Sequence, residues 1–377
     1  MTIILPLLPF YAEHLGASAT VVGMLVSTFA FCQLIAGPIL GRMSDAIGRK
    51  PLLIVSQAGT FAGFLILAAS HSLWMVFLSR IIDGFTAGNL SLAQAYIADV
   101  TTPENRAKSF GVIGIAFGIG FLIGPGISGY LSQYGYAYPI LAAAALSATS
   151  ILCTATLLPK VEPHADDAGG PGGKRLGILD WKAYGAYFQR PGLGPLLWQF
   201  FFFAFSFSFS ISGFALFAQR RFTYQGHPFG AREVGYVFTY IGFLGVIIQG
   251  GMIGKLVRLA GERTLVWSGF LISSTSSAWL AFTYTLPMLA ANTTYGAWGN
   301  GVLRPALTAL ISHKAGKREQ GVVLGLTQSL TSISSVIAPL IAGAMIERRM
   351  LTGWALTVAA IAGAGAIAGL AYRDPAK

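Results

Sequence analysis

The sequence predicts an all-α polytopic membrane protein. Apolar residues make up 54% of the chain and charged residues only 10%, and the mean hydropathy is +0.65. Soluble domains usually carry about 25% charged residues, so this composition excludes an ordinary soluble fold. Apolar windows of about 20 residues, the length that crosses a bilayer as a helix, recur along the chain. They lie near residues 20–41, 52–70, 73–97, 109–132, 136–158, 193–218, 233–256, 265–283, 286–311, 320–346 and 351–371.

A shorter apolar segment, residues 2–12, opens the chain. At about 1.5 Å per residue, it reaches across roughly half of a bilayer. It lacks the basic region and the small-residue cleavage site of a secretory signal. We therefore expect it to be the outer end of a first helix that is truncated at its N-terminus in this sequence.

A charged segment at residues 41–51, the first turn, orients the chain. It lies between two predicted spans. We place it in the cytoplasm because most loops that carry Lys or Arg then lie on the cytoplasmic side of the membrane. Of the 25 Lys and Arg residues, the opposite side receives only Arg220, Arg221, Arg232, Arg348 and Arg349, while Arg80 and Arg304 lie within spans. This bias explains the net charge of +11 without a nucleic-acid partner. It predicts a protein of the cell (inner) membrane with a cytoplasmic C-terminus.

Residues 159–192 interrupt the apolar pattern. They contain glycine, proline and charged residues in close succession, most densely at 169–175, which predicts a flexible cytoplasmic linker. Within the linker, the aromatic residues of segment 176–188 predict a short interfacial helix. The linker would join an N-terminal transmembrane bundle at residues 1–158 to a C-terminal transmembrane bundle at residues 193–377.

A weak internal repeat supports two related halves. A shift of 213 places Gly41 on Gly254 and Gly48 on Gly261, so residues 255–263, the second turn, form a degraded copy of the first turn. A shift of 214 aligns three further pairs, which are Gly111 with Gly325, Pro125 with Pro339 and Gly129 with Gly343. Parallel repeats of six helices are a known architecture of membrane proteins, so we expect two six-helix bundles.

The charges of the first turn admit two interpretations. Asp45 lies between Arg42 and the pair of Arg49 and Lys50, as a solvated turn on the positive side would. Alternatively, they form a latch, with Asp45 near a helix N-terminus whose dipole favours it and with glycines that allow close approach or a positive φ. The shift of 213 places Arg258 on Asp45, which makes the two turns complementary parts of an asymmetric gate. The candidate gating residues are Gly41, Asp45, Gly48, Arg49, Lys50 and Arg258.

Arg80 and Asp83 lie three residues apart on one helix face of the span 73–97. An ionised residue within a span costs at least about 2.5 kcal/mol on insertion scales. The two residues can form a self-neutralising pair near the outer interface. They can also line a cavity as a proton or cation relay, because burial and a neighbouring cation shift the pKa of a carboxylate in opposite directions. The candidate relay residues are Arg80, Asp83 and Arg304.

Arg304 lies in the span 286–311 without an adjacent acid. Such an arginine needs a partner or water. It can contact carbonyl groups that Pro305 frees, bind an anionic group of a substrate, or partner a proton-carrying carboxylate. Other polar residues within spans are candidates for a central cavity, namely Gln33, Asn89, Gln199, Asn300 and Gln328.

Glycines recur at intervals of four in the span 109–132, where Gly120 and Gly124 are followed by Pro125 and Gly129. This spacing lets helix backbones approach closely, and the proline bends the helix. Ordinary helix packing is one explanation of the pattern.

No metal or nucleotide site is predicted. Cys32 and Cys153 lie in apolar runs and are interpreted as small buried residues. The five histidines have no metal-ligand spacing, and the chain has no Walker-type glycine loop. We expect no cofactor, no enzymatic activity, and a monomer in the lipid bilayer.

Four segments resemble the Major Facilitator Superfamily of transporters. The first turn matches the family pattern G-x-x-x-D-x-x-G-R-K between helices 2 and 3. Arg80 matches the fourth-helix pattern R-x-x-Q-G, from which Asp83 departs by replacing glutamine. Residues 120–129 resemble the antiporter signature of drug exporters, although Ser128 replaces one of its two final glycines. Residues 96–107 resemble the loop after helix 4 in tetracycline exporters.

The resemblance covers nearly the whole chain and implies the export of a small hydrophobic drug-like compound or metabolite in exchange for protons, by alternating access. Under this resemblance, the antiporter-type helix consists of Gly120, Gly124, Pro125 and Gly129. Two alternatives stay open. One is a proton symporter or facilitator that imports a small nutrient, and the other is a transport-inactive membrane scaffold or sensor.

Overall fold

A computed structural model describes residues 2–101, 103–159 and 181–370, most of which are helical. The helices are α1 (Ile4–His14), α2 (Ala19–Ile47), α3 (Arg49–Ala68), α4 (Leu73–Phe85), α5 (Asn89–Val100), α6 (Pro103–Leu131), α7 (Ala137–Leu157), α8 (Trp181–Gln189), α9 (Gly194–Arg221), α10 (Ala231–Val246), α11 (Ile253–Leu280), α12 (Leu286–Glu347) and α13 (Leu351–Leu370). Within the described chain, 8 helical stretches are long and apolar enough to cross a membrane. The predicted all-α polytopic fold class is confirmed.

The observed elements differ from the predicted spans in three places. The span 73–97 is divided between α4 and α5, and the spans 286–311 and 320–346 lie within one continuous helix, α12. The end of the span 233–256, the second turn and most of the span 265–283 lie within α11, which follows a π-helical segment at Ile247–Met252. Of the predicted linker, residues 160–180 lie outside the described residues. In its described part, α8 overlaps the segment for which a short helix is predicted.

A short antiparallel hairpin, β1 (Thr223–Tyr224) and β2 (His227–Pro228), follows α9, where no strand is predicted. Its two turn residues, Gln225 and Gly226, have φ values of 51° and 83°. Two-residue hairpin turns favour positive φ because the resulting twist matches that of the strands. The hairpin therefore arises from local turn chemistry, which hydropathy windows do not detect.

The described chain forms two compact units. The first unit contains α1 to α7 and residues Gly230–Thr239, and the second contains α8, α9, the hairpin, the remainder of α10 and α11 to α13. The second unit therefore differs from the predicted C-terminal bundle at Gly230–Thr239. The physical reason is close packing on α6, where a Cβ atom added to Gly129 would lie 2.9 Å from the Arg232 carbonyl oxygen.

Both apolar and polar contacts hold the first unit together. Its core cluster consists of Ala36, Leu40, Leu52, Leu53 and Leu92. Between α3 and α7, Gln57 Nε2 donates to Ser150 Oγ and Thr154 Oγ1, both at 3.0 Å. Because lipid tails are as apolar as leucine, membrane helices associate through small residues and such polar contacts.

The second unit is built around the aromatic side of α9. Phe200 and Phe203 are buried in a cluster shared with α11 and α12. Further along α9, the rings of Phe209 and Phe217 stack on Trp354 of α13, with centroids 6.5 and 4.8 Å apart. Many of the α9 rings are therefore packed inside the unit.

The two charged turns share an unusual backbone conformation. Gly48, between α2 and α3, has φ 104° and ψ 150°, and Gly261, within α11, has φ 76° and ψ 155°. Residues with a Cβ atom rarely adopt such angles. The two glycines are equivalent under the shift of 213, so the structure agrees with the predicted repeat at this position.

Candidate functional site

The span that carries Arg80 and Asp83 is broken at residues 86–88, between α4 and α5. Ser56 of α3 stabilises both sides of this break. Its hydroxyl donates to the Thr86 carbonyl oxygen and accepts from the Gly88 backbone N–H at 3.1 Å. Backbone polar groups inside a bilayer must be satisfied by the protein, and a serine on a neighbouring helix does so here.

Helix α2 contributes to the same break. Gln33 Nε2 donates to the Ala87 carbonyl oxygen at 3.3 Å. Close approach of α2 depends on Gly84, since a Cβ atom added there would lie 2.8 Å from the Phe29 carbonyl oxygen and 2.7 Å from Cys32 Cβ. The break is therefore enclosed by side chains from α2 and α3.

Arg80 and Asp83 are buried on α4, each with 3% of its surface exposed. Arg80 Nη1 lies 3.4 Å from Asp83 Oδ2, and Arg80 Nε donates to Ser79 Oγ at 3.4 Å. The guanidinium also lies 5.9 Å from the centre of the Phe29 ring, within range of a cation–π contact. Its Nη2 atom has no hydrogen-bond partner among the described residues. The structure thus brings the two predicted relay residues of this helix together.

Thr60 extends this pair into a network. Its hydroxyl lies beside the Asp83 carboxylate and accepts from Asn89 Nδ2 at 3.2 Å. Asn89 is the first residue of α5, so the network crosses the break from Arg80 to the start of the next helix. The Asn89 Oδ1 atom has no hydrogen-bond partner among the described residues.

Sequence reasoning missed Thr60 and Ser56, both on α3. A signal was present, because Ser56 and Thr60 are spaced four apart, as are Gly59 and Gly63. Small residues at this spacing mark a face on which membrane helices pack closely. Gly63 lies on such a closely packed face, since a Cβ atom added there would lie 3.1 Å from Asp83 Cβ.

The first turn contains a compact ion-pair cluster in the first unit. Arg49 Nη1 lies 2.6 Å from Asp45 Oδ1, and Arg49 Nε lies 2.9 Å from Asp99 Oδ2 at the end of α5. Lys50 donates to the Ala155 and Leu158 carbonyl oxygens at 2.8 and 2.6 Å. Cations stabilise the C-terminal end of a helix, so Lys50 caps α7. Sequence reasoning named the turn residues but missed Asp99 as their partner.

Among the described residues, no atom outside the local helix backbone lies within 4 Å of where a Cβ of Gly41 would lie, so close approach does not require a glycine there. In the second turn, Arg258 Nε donates to the Gly254 carbonyl oxygen of its own helix at 3.3 Å. A different close contact lies beside it, between Glu262 Oε2 and His313 Nδ1 at 3.3 Å, and it is an ion pair when the histidine is protonated. Neither member of that pair was singled out from the sequence.

The glycines of α6 face two segments of the first unit. Thr2 Oγ1 donates to the Gly120 carbonyl oxygen at 2.7 Å, and Thr2 also lies against Gly124. On the other side, a Cβ atom added to Gly129 would lie 3.4 Å from Gly235 Cα. Pro125 lies inside α6, next to these contacts. The glycines therefore serve close helix packing, which leaves their antiporter role a proposal.

Arg304 lies on α12 in the second unit, with its side chain exposed. The described side chains include no acidic partner for it within 4.0 Å. Asn300, one turn earlier, is also exposed, donates to the Gly296 carbonyl oxygen and accepts from Ser273 Oγ at 3.2 Å. Residues four apart lie on one helix face, so Asn300 and Arg304 form a polar face.

Two further predicted cavity residues differ in environment. Gln328 of α12 is exposed. Gln199 of α9 is 3% exposed, and its Nε2 donates to the Gly365 carbonyl oxygen at 3.2 Å. The Gln199 amide thus joins α9 to α13 and does not line an accessible surface. Among the described residues, no group of three or more His, Cys, Asp or Glu could hold a metal ion.

Comparison with known proteins places these features in a family. The sequence profile of the Major Facilitator Superfamily matches residues 1–339 and, in a second alignment, residues 232–377. The chain is 30% identical over 360 residues to the class B tetracycline resistance protein of Escherichia coli, covering 93% of this chain and 86% of that protein. It is 28% identical over 358 residues to multidrug resistance protein 2 of Bacillus subtilis (strain 168), covering 92% and 84%.

A solved structure shows the same fold. The crystal structure of the human organic anion transporter MFSD10 (TETRAN) matches with a TM-score of 0.70 and 24% identity, covering 98% of this chain and 95% of that chain. The likeness supports an all-α membrane architecture for the described helices.

Proposed function

Because the chain belongs to the Major Facilitator Superfamily, we propose that it is a secondary active transporter that exports a small hydrophobic drug-like compound or metabolite in exchange for protons. Relatives named for resistance to tetracycline and to multiple drugs support export. The observation that carries the proton coupling is the buried pair of Arg80 and Asp83. The substrate would move by alternating access, with no chemical change.

Asp83 is the residue that we propose carries the proton. Its carboxylate meets a single guanidinium nitrogen of Arg80 at 3.4 Å, a looser contact than a bidentate pair. Protonation of Asp83 would release Arg80 from the pair, and loss of the proton would restore it. Ionisable residues buried in membrane spans mark proton or substrate paths in transporters.

The break gives this change of charge a structural consequence. Thr60 lies beside Asp83 and accepts a hydrogen bond from Asn89, the first residue of α5. A change at the carboxylate therefore alters the hydrogen bonding on both sides of residues 86–88. Interrupted helices form the substrate and coupling-ion sites of several transporter families. We accordingly assign to this break the coupling between protonation and the position of α5.

We propose a substrate-contacting surface in each unit, formed by the accessible members of the predicted polar set. Gln33 and Asn89 are half-buried in the first unit, and Asn300 and Gln328 are exposed in the second. Gln199 is left out because its amide is buried in a helix contact. The ion pairs of the first turn would control the cytoplasmic ends of the helices rather than bind substrate.

A second candidate substrate class is an organic anion, and Arg304 favours it. An ionised arginine within a span must meet water or a counter-charge, since lipid offers neither. Arg304 is exposed, and the described side chains offer it no acidic partner. A carboxylate or phosphate on the substrate would satisfy it, with Asn300 as a neutral neighbour on the same face.

We also infer the setting of the protein. A membrane location follows from the family and the apolar helices. The distribution of Lys and Arg supports the inner membrane and a cytoplasmic C-terminus. The working unit would be a monomer, and the partners would be the small-molecule substrate, protons and the lipid bilayer.

Proton flux in inverted membrane vesicles tests the function. A panel of hydrophobic and anionic compounds is added to energised vesicles that carry the protein, and the lumenal pH is followed with a fluorescent dye. Exchange predicts that an exported compound drives protons out of the lumen as the compound enters it. Symport predicts proton movement in the same direction as the compound, and the sign of the pH change separates the two.

Asp83→Asn is the variant that tests whether Asp83 carries the proton. It should abolish proton movement while binding of the compound, measured separately by fluorescence quenching, is retained. Glu233→Gln is the control, because Glu233 accepts from the Gly230 N–H at 2.8 Å at the start of α10 and takes no part in the network. Coupled flux that survives Asp83→Asn would remove this carboxylate from the proton path.

A further inference from the structure

The two charged turns carry ion pairs in equivalent positions but with reversed charge. We propose that Glu262 and His313 form a proton-dependent latch in the second unit, as the counterpart of the permanent latch between Arg49 and Asp99 in the first. The part of this inference that concerns transport rests on the proposed function. The latch itself stands on geometry and can be tested without transport.

The first latch joins the start of α3 to the end of α5. Arg49 follows Gly48 directly, and its Nε lies 2.9 Å from Asp99 Oδ2. The same guanidinium meets Asp45 at 2.6 Å. Arginine and aspartate in general are both charged at neutral pH, so this ion pair contains no imidazole that must gain a proton.

The second latch joins the second turn to α12. Glu262 follows Gly261 directly, and its Oε2 lies 3.3 Å from His313 Nδ1. Glu262 is the more enclosed partner, with 18% of its side chain exposed against 69% for His313. An imidazole carries charge only when protonated, and histidines in general change charge between about pH 5 and 8. The second latch is therefore an ion pair only when His313 is protonated.

The repeat makes the correspondence specific. The shift of 213 that superposes Gly48 on Gly261 also places Arg49 on Glu262. The shift of 214 that aligns Pro125 with Pro339 places Asp99 on His313. Arg49 and Asp99 of the first latch thus align with Glu262 and His313 of the second, so the acidic and basic partners exchange positions. Gly48, which precedes Arg49, and Gly261, which precedes Glu262, have the same type of backbone conformation.

The charged surroundings of His313 are otherwise cationic in the described chain. The described charged groups on the neighbouring segments are Lys255, Arg258, Glu262 and Arg263 on α11, Lys314 on α12 and Arg190 before α9. Glu262 is the only acid among them. Among the described groups, protonated His313 thus pairs with Glu262, and neutral His313 loses that ion pair.

A nitroxide on the second turn reports the latch directly. Leu259 is 85% exposed, so Leu259→Cys accepts the label, in a Cys153→Ala background because Cys153 is exposed whereas Cys32 is buried. The ratio of immobilised to mobile nitroxide in purified protein should rise about two- to fivefold between pH 8 and pH 5.5, the range expected for an exposed ion pair. The spectrum itself does not depend on transport.

Three variants decide the interpretation. His313→Gln should remove the pH response and leave the mobile spectrum at both pH values. His313→Arg should give the immobilised spectrum at both. The double variant Glu262→Arg with His313→Asp has the same order of charges as the first latch. It should give the immobilised spectrum at both pH values, whereas Glu262→Arg alone and His313→Asp alone should not. A pH response that persists in His313→Gln would overturn the proposal, as would a pH-independent spectrum in the labelled protein with native Glu262 and His313.

Transport in vesicles then tests the role of the latch. Lowering the pH on the cytoplasmic side from 8 to 5.5 should change the turnover of native protein about two- to fivefold relative to His313→Arg. The same comparison between the double variant and His313→Arg should show no pH-dependent difference. If the nitroxide responds but no compound is carried under any condition, the proposed function fails and the latch stands.

Discussion

The two units treat their intramembrane arginines in opposite ways. Arg80 in the first unit is 3% exposed and paired with Asp83 at 3.4 Å. Arg304 in the second unit is exposed, and the described side chains provide no acid for it. A cation inside a bilayer requires a counter-charge or water. The first unit supplies the counter-charge from its own sequence, whereas the second leaves its cation available to a group from outside the protein.

Packing around the two arginines explains the difference. Gly63 and Gly84 let α3 and α2 approach α4 closely enough to cover Arg80 and Asp83. On α12, Leu303 and Leu307 occupy the buried face, while Arg304 lies on the accessible one. The burial of a cation thus depends on small residues in neighbouring helices as much as on the cation itself.

The largest expected effect comes from breaking the buried pair. Arg80→Met leaves the Asp83 carboxylate buried without its cation, and loss of one partner of a buried pair costs about 3–5 kcal/mol. We expect the free energy of unfolding in mixed micelles to fall by this amount. Arg304→Met, the matched change in the second unit, should alter it by less than about 0.5 kcal/mol because no ion pair is lost.

A double variant sharpens this comparison. Arg80→Met with Asp83→Leu removes both buried charges, so most of the lost stability should return while proton coupling does not. Equal costs for Arg80→Met and Arg304→Met would show that the difference in burial has no energetic consequence.

An intermediate effect is expected from the exposed cation. If Arg304 binds an anionic substrate, Arg304→Gln should weaken that binding about 10- to 100-fold, since a hydrogen bond to a charged group contributes about 1.5–3 kcal/mol. Binding of uncharged compounds should change little. Arg304→Lys, which keeps the charge, should retain part of the affinity. Calorimetric titration of matched charged and neutral compounds measures the ratio, and an equal loss for both classes would contradict a charge contact.

The smallest effect concerns the break beside the buried pair. Ser56→Ala removes two hydrogen bonds, but the Gly88 N–H still donates to the Thr86 carbonyl at 2.7 Å. The expected cost is therefore that of a lost hydrogen bond, about 0.5–1.5 kcal/mol, rather than that of an unsatisfied group. We expect a matching fall in the free energy of unfolding. Ser329→Ala on α12 is the control, because Ser329 Oγ donates to the Gly325 carbonyl of its own helix at 3.1 Å. Its effect should stay below about 0.5 kcal/mol, and similar effects of the two changes would indicate that the break needs no support from α3.

Much of the fold was predictable because its signals are local. Apolar windows depend on composition over about 20 residues, so they located the helices of both units. The span 73–97 was predicted as continuous because hydropathy carries no information on residues 86–88, where the backbone bonds to Ser56 and Gln33 replace helical ones. The hairpin after α9 was missed for a similar reason, as its signal is the turn at Gln225 and Gly226.

The candidate site was predictable only in part. Arg80 and Asp83 were identifiable because charges in an apolar span stand out and three residues place them on one face. Their partner Thr60 was not, since a threonine in a span has many explanations. Gln199 and Asn300 are both polar residues within spans, yet one is buried in a helix contact and the other is exposed. Sequence spacing cannot separate these two cases.

The sequence by itself determined the membrane class, the family, the positions of the helices and the matching glycines of the two turns, because hydropathy and backbone freedom belong to single residues and short windows. Only the tertiary structure decided which polar groups meet. It placed Thr60 beside Asp83, and it joined Arg49 to Asp99 and Glu262 to His313. The physical reason is that these contacts link residues more than twenty positions apart, and helix packing rather than local spacing sets their distances.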